Sequence, residues 1–160
     1  DVYKRQELAW LTAAAGTGAV LGGLLMSRQT AHVIGLYRLI LVALFAATLL
    51  LATLNWLDAL ITLAVVVGLI AFTTTIAGTG CQALTQLVID PNYHGRVMSL
   101  WSMTMMASPA LGAATNGALA EWAGFVTTFA VASALGVLAV LALYARRRVV
   151  SDFAPEAIAT

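Results

Sequence analysis

Five long apolar runs, cut by short polar turns, leave this chain few ways to fold. They are Leu8–Met26, Leu36–Leu54, Ala59–Ile89, Val97–Ala120 and Gly124–Tyr144. A hydrocarbon core about 30 Å thick takes roughly 20 residues of helix to cross, so each run is long enough to span a bilayer. Inside hydrocarbon every backbone N–H and C=O must be satisfied by the protein itself, which favours α-helices whose hydrogen bonds close within one segment. The runs therefore predict an all-α fold, a polytopic transmembrane helix bundle of five spans. Composition agrees, with 61% of the 160 residues hydrophobic, 9% charged and a mean hydropathy of +0.93. A water-soluble domain of this length needs far more charge to cover its surface.

The turns fix the orientation. Ser27–Gly35 carries Arg28, Gln29 and His32. Asn55-Trp56-Leu57-Asp58 is a tight turn whose tryptophan suits a membrane interface. Asp90-Pro91-Asn92-Tyr93-His94-Gly95-Arg96 has the proline, asparagine and glycine of a turn, and Glu121-Trp122-Ala123 separates the last two runs. If the spans alternate in direction, Arg28, Arg38, Arg96 and Arg146-Arg147-Arg148 all fall on one side, and Glu7, Asp58 and Glu121 on the other. The positive-inside bias makes the arginine side cytoplasmic, together with the polar tail 145–160. The opening Asp1-Val2-Tyr3-Lys4-Arg5-Gln6 is similar to the translation of a transposon-end sequencing adapter, and residues 1–6 are left out of this count. Read instead as a native basic flank of the first helix, they would confuse it. The chain does not begin with Met and reads as a fragment.

The runs differ in texture. On a helix, Ala64, Gly68, Ala71, Thr75, Thr79, Gln82 and Gln86 share one narrow stripe, with Val66, Ile70, Leu84 and Val88 opposite. Two glutamines four residues apart would leave their amides without partners in lipid, so the stripe faces protein or water. It either lines a cavity or makes interhelical hydrogen bonds, and its continuity favours the cavity. In the first run Ala15, Gly18 and Gly22 form the small-residue pattern that lets backbones approach closely. The fourth brings together Gly112, Ala113, Asn116, Gly117 and Ala120, with Pro109 inside it removing a backbone donor and bending the helix. Asn116 lines a cavity or makes an interhelical contact. Met98, Met103, Met105 and Met106 form an adaptable wall or plain core filling. The second and fifth runs carry few polar groups and read as peripheral helices facing membrane lipid.

Other chemistries find no support. A net charge of +1 gives no field for nucleic acid. The single cysteine, Cys81, excludes an internal disulfide and any cysteine-based metal cluster, and it reads as a small buried side chain. No HExxH pattern, serine–histidine constellation or pair of intramembrane carboxylates is present, so an enzyme is not expected, nor is any cofactor, metal site or catalytic residue. His32 and His94 lie in turns.

The stretch Asp90-Pro91-Asn92-Tyr93-His94-Gly95-Arg96-Val97-Met98-Ser99-Leu100 resembles the segment between helices 10 and 11 of major facilitator superfamily transporters. The enterobactin-exporter-like and macrolide-efflux-like branch is the nearest likeness. There a Gly-Arg-Val-Met-Ser-Leu stretch follows a helix ending in Gln and aliphatic residues, as Leu84-Thr85-Gln86-Leu87-Val88 does here. Pro109-Ala110-Leu111-Gly112 with Gly117 and Ala120-Glu121 is similar to the family's helix 11. The resemblance covers essentially everything after residue 7 and places the five runs on helices 8 to 12, in the C-terminal half of a twelve-helix fold. It implies that the third run is a cavity-lining helix and the second and fifth face lipid. It also implies a residual copy of the family's cytoplasmic Gly-x-x-x-Asp-Arg motif at Gly23-Leu24-Leu25-Met26-Ser27-Arg28, where Ser27 replaces the aspartate and the following basic pair is gone. A conformational latch at this loop is therefore in doubt.

The implied function is secondary active transport, the export of small hydrophobic or amphipathic molecules by alternating access, in a bacterial cytoplasmic (inner) membrane. Its partners would be membrane lipid, a small-molecule substrate and the missing N-terminal half of the same transporter. Thr75, Thr79, Gln82, Gln86 and Asn116 are the substrate-cavity candidates. Arg28, Arg96, Pro109 and Gly112 are the gating or structural ones, with a solvated, snorkelling arginine as the plainer reading of Arg96. A non-transporting membrane scaffold, or a permease subunit of an ATP-driven pump, is the alternative. The short cytoplasmic turns argue against the pump, which needs substantial coupling elements there. No span interior holds Asp or Glu, and Asp58, Asp90 and Glu121 stand at turns, so any proton-coupling carboxylate is expected in the missing N-terminal part.

Overall fold

In the computed structural model of the chain the described residues are 2–28, 33–57 and 59–146, with side chains from residue 6 onward. Gln29, His32, Asp58, Arg147, Arg148 and the rest of the tail lie outside them. The five apolar runs are five helices: α1 (Val2–Ser27), α2 (Val33–Thr53), α3 (Leu60–Val88), α4 (His94–Ala123) and α5 (Phe125–Ala145). Single 3₁₀ turns at Leu54–Trp56 and Pro91–Tyr93 close α2 and open α4. The described residues contain no strand.

Local chemistry explains the boundaries. Asp90 caps the turn before α4, its Oδ1 accepting from the Asn92 backbone N–H at 2.8 Å and from Asn92 Nδ2 at 2.9 Å, with Pro91 in the first position. The α4–α5 boundary departs from the sequence reading. α4 runs on through Glu121-Trp122-Ala123, and the chain breaks only at Gly124, whose φ of 83° disfavours a side chain. Four of the helices are long and apolar enough to cross a membrane. α4 falls short because Ser99, Ser102, Thr104, Ser108, Thr115 and Asn116 dilute it.

Packing runs in one sequence, α1 on α3, α3 on α2, α2 on α5, and α5 on α4. α1 and α3 are parallel, because Gly18 sits against Gly68 and Gly22 against Phe72 and Thr75. α2 runs antiparallel to both neighbours. Gly80 of α3 meets Leu36 and Ile40, while Tyr37, Thr48 and Asn55 meet Leu143, Gly136 and Val126 of α5 in reverse order. The core is Ala43, Ile76 and Ala77, with Met26, Leu39, Leu44 and Phe72 packed on it.

Helix α2 is therefore not simply peripheral. It supplies Leu36, Ile40, Leu41, Ala43 and Ala47, most of the buried apolar residues, while its Val42, Phe45 and Leu49 stay exposed. An aliphatic surface packs against helices as readily as against lipid, so plain composition does not separate the two roles. α4 is the opposite case, with no buried residue and nothing within 4 Å of a side chain added at Gly112 or Gly117.

These directions sort the charges geometrically. Arg28 ends α1, Arg38 stands in the opening turns of α2, Arg96 begins α4 and Arg146 follows α5, all at one end of the bundle. Glu7 and Glu121 stand at the other end, as do the exposed Trp10, Trp56 and Trp122.

Candidate functional site

Polar groups inside the helices behave in two ways. Most hydroxyls donate back to their own helix: Thr79 to the Thr75 carbonyl at 2.7 Å, Thr85 to Cys81 at 2.7 Å, Thr115 to Leu111 at 2.8 Å and Ser133 to Phe129 at 2.7 Å. Such back-bonding satisfies a hydroxyl without any partner helix. The carboxamides do not follow it. Gln82, Gln86 and Asn116 make no side-chain hydrogen bond among the described residues, and all three are exposed. An amide with no partner costs several kcal/mol in hydrocarbon, so these faces belong to water, a ligand or further protein.

The predicted stripe of α3 changes role along its length. Its first part is a packing surface: Gly68 abuts the Ala14 carbonyl, at 3.1 Å from where a side chain would begin, and half-buried Thr75 lies against Gly22. Past Ala77 no described residue of α1 covers it. α1 ends at Ser27, with Met26 level with Ile76 and Ala77, whereas α3 continues to Val88. That overhang is roughly 16 Å of helix at 1.5 Å per residue. Thr79, Gln82 and Gln86 lie on it, exposed and on one face.

The other candidates stand apart. Asn116 is on α4, whose main helix contact is α5, so it is not brought beside the glutamines. Pro109 is exposed and Gly112 half-buried on the same helix. Exposed Arg28 closes the last turn of α1, its N–H donating to the Leu25 carbonyl at 3.2 Å. Arg96 is exposed in the first turn of α4, its carbonyl accepting from Ser99 Oγ at 2.8 Å.

A feature that the sequence reading missed lies between the N-terminal halves of α1 and α3. A groove of about 940 Å³ is walled by Trp10, Ala14, Leu21, Ile61, Gly68 and Phe72 among others. Thr17 also lines it, but its hydroxyl is already donated to the Ala13 carbonyl at 2.8 Å. The groove therefore suits hydrocarbon and offers little to orient a polar ligand. The small residues Ala13, Ala14 and Gly18 are its sequence signal, since they leave volume between flanking large side chains.

A sequence model described as Major Facilitator Superfamily matches residues 3–159. No curated protein and no solved structure matches the chain.

Proposed function

Since the chain belongs to the Major Facilitator Superfamily, whose members are membrane transporters, we propose that it supplies helices 8 to 12 of a secondary transporter that exports small hydrophobic or amphipathic molecules by alternating access. The observation that carries this reading is the overhang of α3, where, among the described residues, Thr79, Gln82 and Gln86 share an uncovered face and the two amides have no hydrogen-bond partner. In a transporter built of two helical halves the binding site lies near the midplane between them, and such a face is suited to that place. Thr75 marks where the face leaves the packed part of the helix. Asn116, Pro109 and Gly112 occupy an equally unpacked helix, α4, that a second half would cover. The arginine end, with Arg28 and Arg96, is read as cytoplasmic by positive-inside bias. The enterobactin-exporter-like branch is the family likeness behind the substrate class.

The test is Gln82→Leu in the transporter that carries this chain, assayed as efflux per molecule in membrane vesicles. Substrate range or rate should change severalfold while abundance stays nearly constant. If activity falls only in proportion to abundance, Gln82 is a packing residue and the cavity assignment is wrong.

A further inference from the structure

The groove between α1 and α3 has a floor of small residues, with Gly18 and Gly68 meeting backbone to backbone beside Ala14. Exposed Trp10, Ile61, Val65 and Leu69 stand up along its sides. The spacing of Val65, Leu69, Phe72 and Ile76 keeps these four on one side of α3. In the tryptophan half of the bundle that side is groove wall, and among the described residues the walls come from α1 and α3 alone. In the arginine half the same side is covered by α2. There Ala43 packs with Ile76 and Ala77, and Leu39, Leu44 and Met26 lie on that cluster. Phe72 belongs to both parts, lining the groove and packing on the core. The valley is thus open at the tryptophan end and stopped at Phe72.

Its length follows from the helical rise. Trp10 to Leu21 on α1 and Leu60 to Phe72 on α3 each cover roughly 16–18 Å at 1.5 Å per residue. Half of a hydrocarbon core is about 15 Å. A helix that crosses the membrane needs the full thickness and would meet α2 halfway. A polar ligand finds no hydroxyl to hold it, since that of Thr17 is donated to Ala13. We propose that the groove holds an acyl chain of a membrane phospholipid from the leaflet on the tryptophan side. The chain enters beside Trp10 and ends against Phe72. It is apolar throughout and reaches the midplane, which is where the groove stops. In hydrocarbon no hydrophobic gain separates a bound chain from a free one, so retention comes from contacts made on several sides in a small-floored valley. The assignment rests on the membrane placement of α1 and α3 and needs no transport activity.

The experiment reconstitutes the full chain in phosphatidylcholine vesicles containing a trace of phosphatidylcholine with a diazirine at the end of one acyl chain. Photoadducts are mapped by peptide mass spectrometry. Leu69 and Phe72 should carry severalfold more adduct than Leu135, an exposed leucine roughly 15 Å into α5 and so at a similar depth. Ala13 lines the groove and is exposed. Ala13→Phe should fill the groove and bring Leu69 and Phe72 down to the level of Leu135. Labelling of Leu135 itself should not change, which marks the bundle as intact. Ala13→Ser, which keeps the volume, should keep the excess. Equal labelling of Leu69, Phe72 and Leu135 in the unmodified chain would mean ordinary boundary lipid and would overturn the proposal. Labelling below that of Leu135 would overturn it too, because another helix or a second copy would then cover the groove. So would an undiminished excess in the folded Ala13→Phe variant.

Discussion

Gly18 faces the carbonyl of Gly68 so closely that a methyl group there would overlap the oxygen, and Gly22 leaves only 2.7 Å to the Phe72 carbonyl. In both cases the obstacle is backbone, which cannot rotate away as a side chain can. Gly18→Ala should therefore force α1 off α3 and destabilise the chain by about 1–3 kcal/mol, the usual cost of overpacking. Gly16 offers the matched control, because nothing lies within 4 Å of its position. Gly16→Ala should be neutral or slightly stabilising through helix propensity. Thermal unfolding in detergent distinguishes them, and equal responses would mean that the close approach does not hold the helices together. Much of this was legible beforehand, since the spacing of Ala15, Gly18 and Gly22 announces a close contact. Its partner was not, because Gly68 lies fifty residues on and its stripe read equally well as a cavity wall.

At the scale of elements, the join between α3 and α4 depends on one carboxylate. Asp90 holds Asn92 through backbone and side chain together, in water and outside any span. Asp90→Ala should cost about 1 kcal/mol, as for other lost caps. Asp90→Asn keeps an acceptor oxygen and should cost less than half as much. A cap role also predicts that Asp90→Asn leaves pH-driven transport intact in the transporter that carries this chain. Loss of that drive without loss of stability would instead make Asp90 a coupling group. The Asp-Pro-Asn-Tyr turn was plain in the sequence because its residues act on their immediate neighbours. The two faces of α2 were not, since Leu, Ile and Ala contribute the same surface to a helix neighbour as to lipid. Likewise the polar stripe of α3 was visible as a pattern, but where α1 stops covering it depends on how far two helices slide past each other.

For the molecule as a whole, Arg28, Arg38, Arg96 and Arg146 form one band and three of the four tryptophans, Trp10, Trp56 and Trp122, form another. From Trp10 to Arg28 along α1, and from Arg38 to Trp56 along α2, the helical rise is about 27 Å, close to the thickness of a hydrocarbon core. If the arginine band is cytoplasmic, single cysteines placed at Trp56 or Glu121, with Cys81 replaced by serine, should react with an impermeant thiol reagent in intact cells. Cysteines at Arg28 or His94 should react only after lysis. Labelling at both ends without lysis would remove the orientation. The alternation of charge made this legible from sequence, since lipid imposes the same length on every span. What periodicity does not convey is which spans touch, and here the first helix leans on the third and makes almost no contact with the second. That arrangement sets a schedule for biosynthesis. When α1 emerges from the ribosome, the segment that carries Gly68, on which its glycine face packs, is still untranslated. At 5–20 residues per second, the wait is about 3–10 s. Through that interval the least hydrophobic of the four clearly membrane-competent helices is without the partner on which it packs in the finished fold.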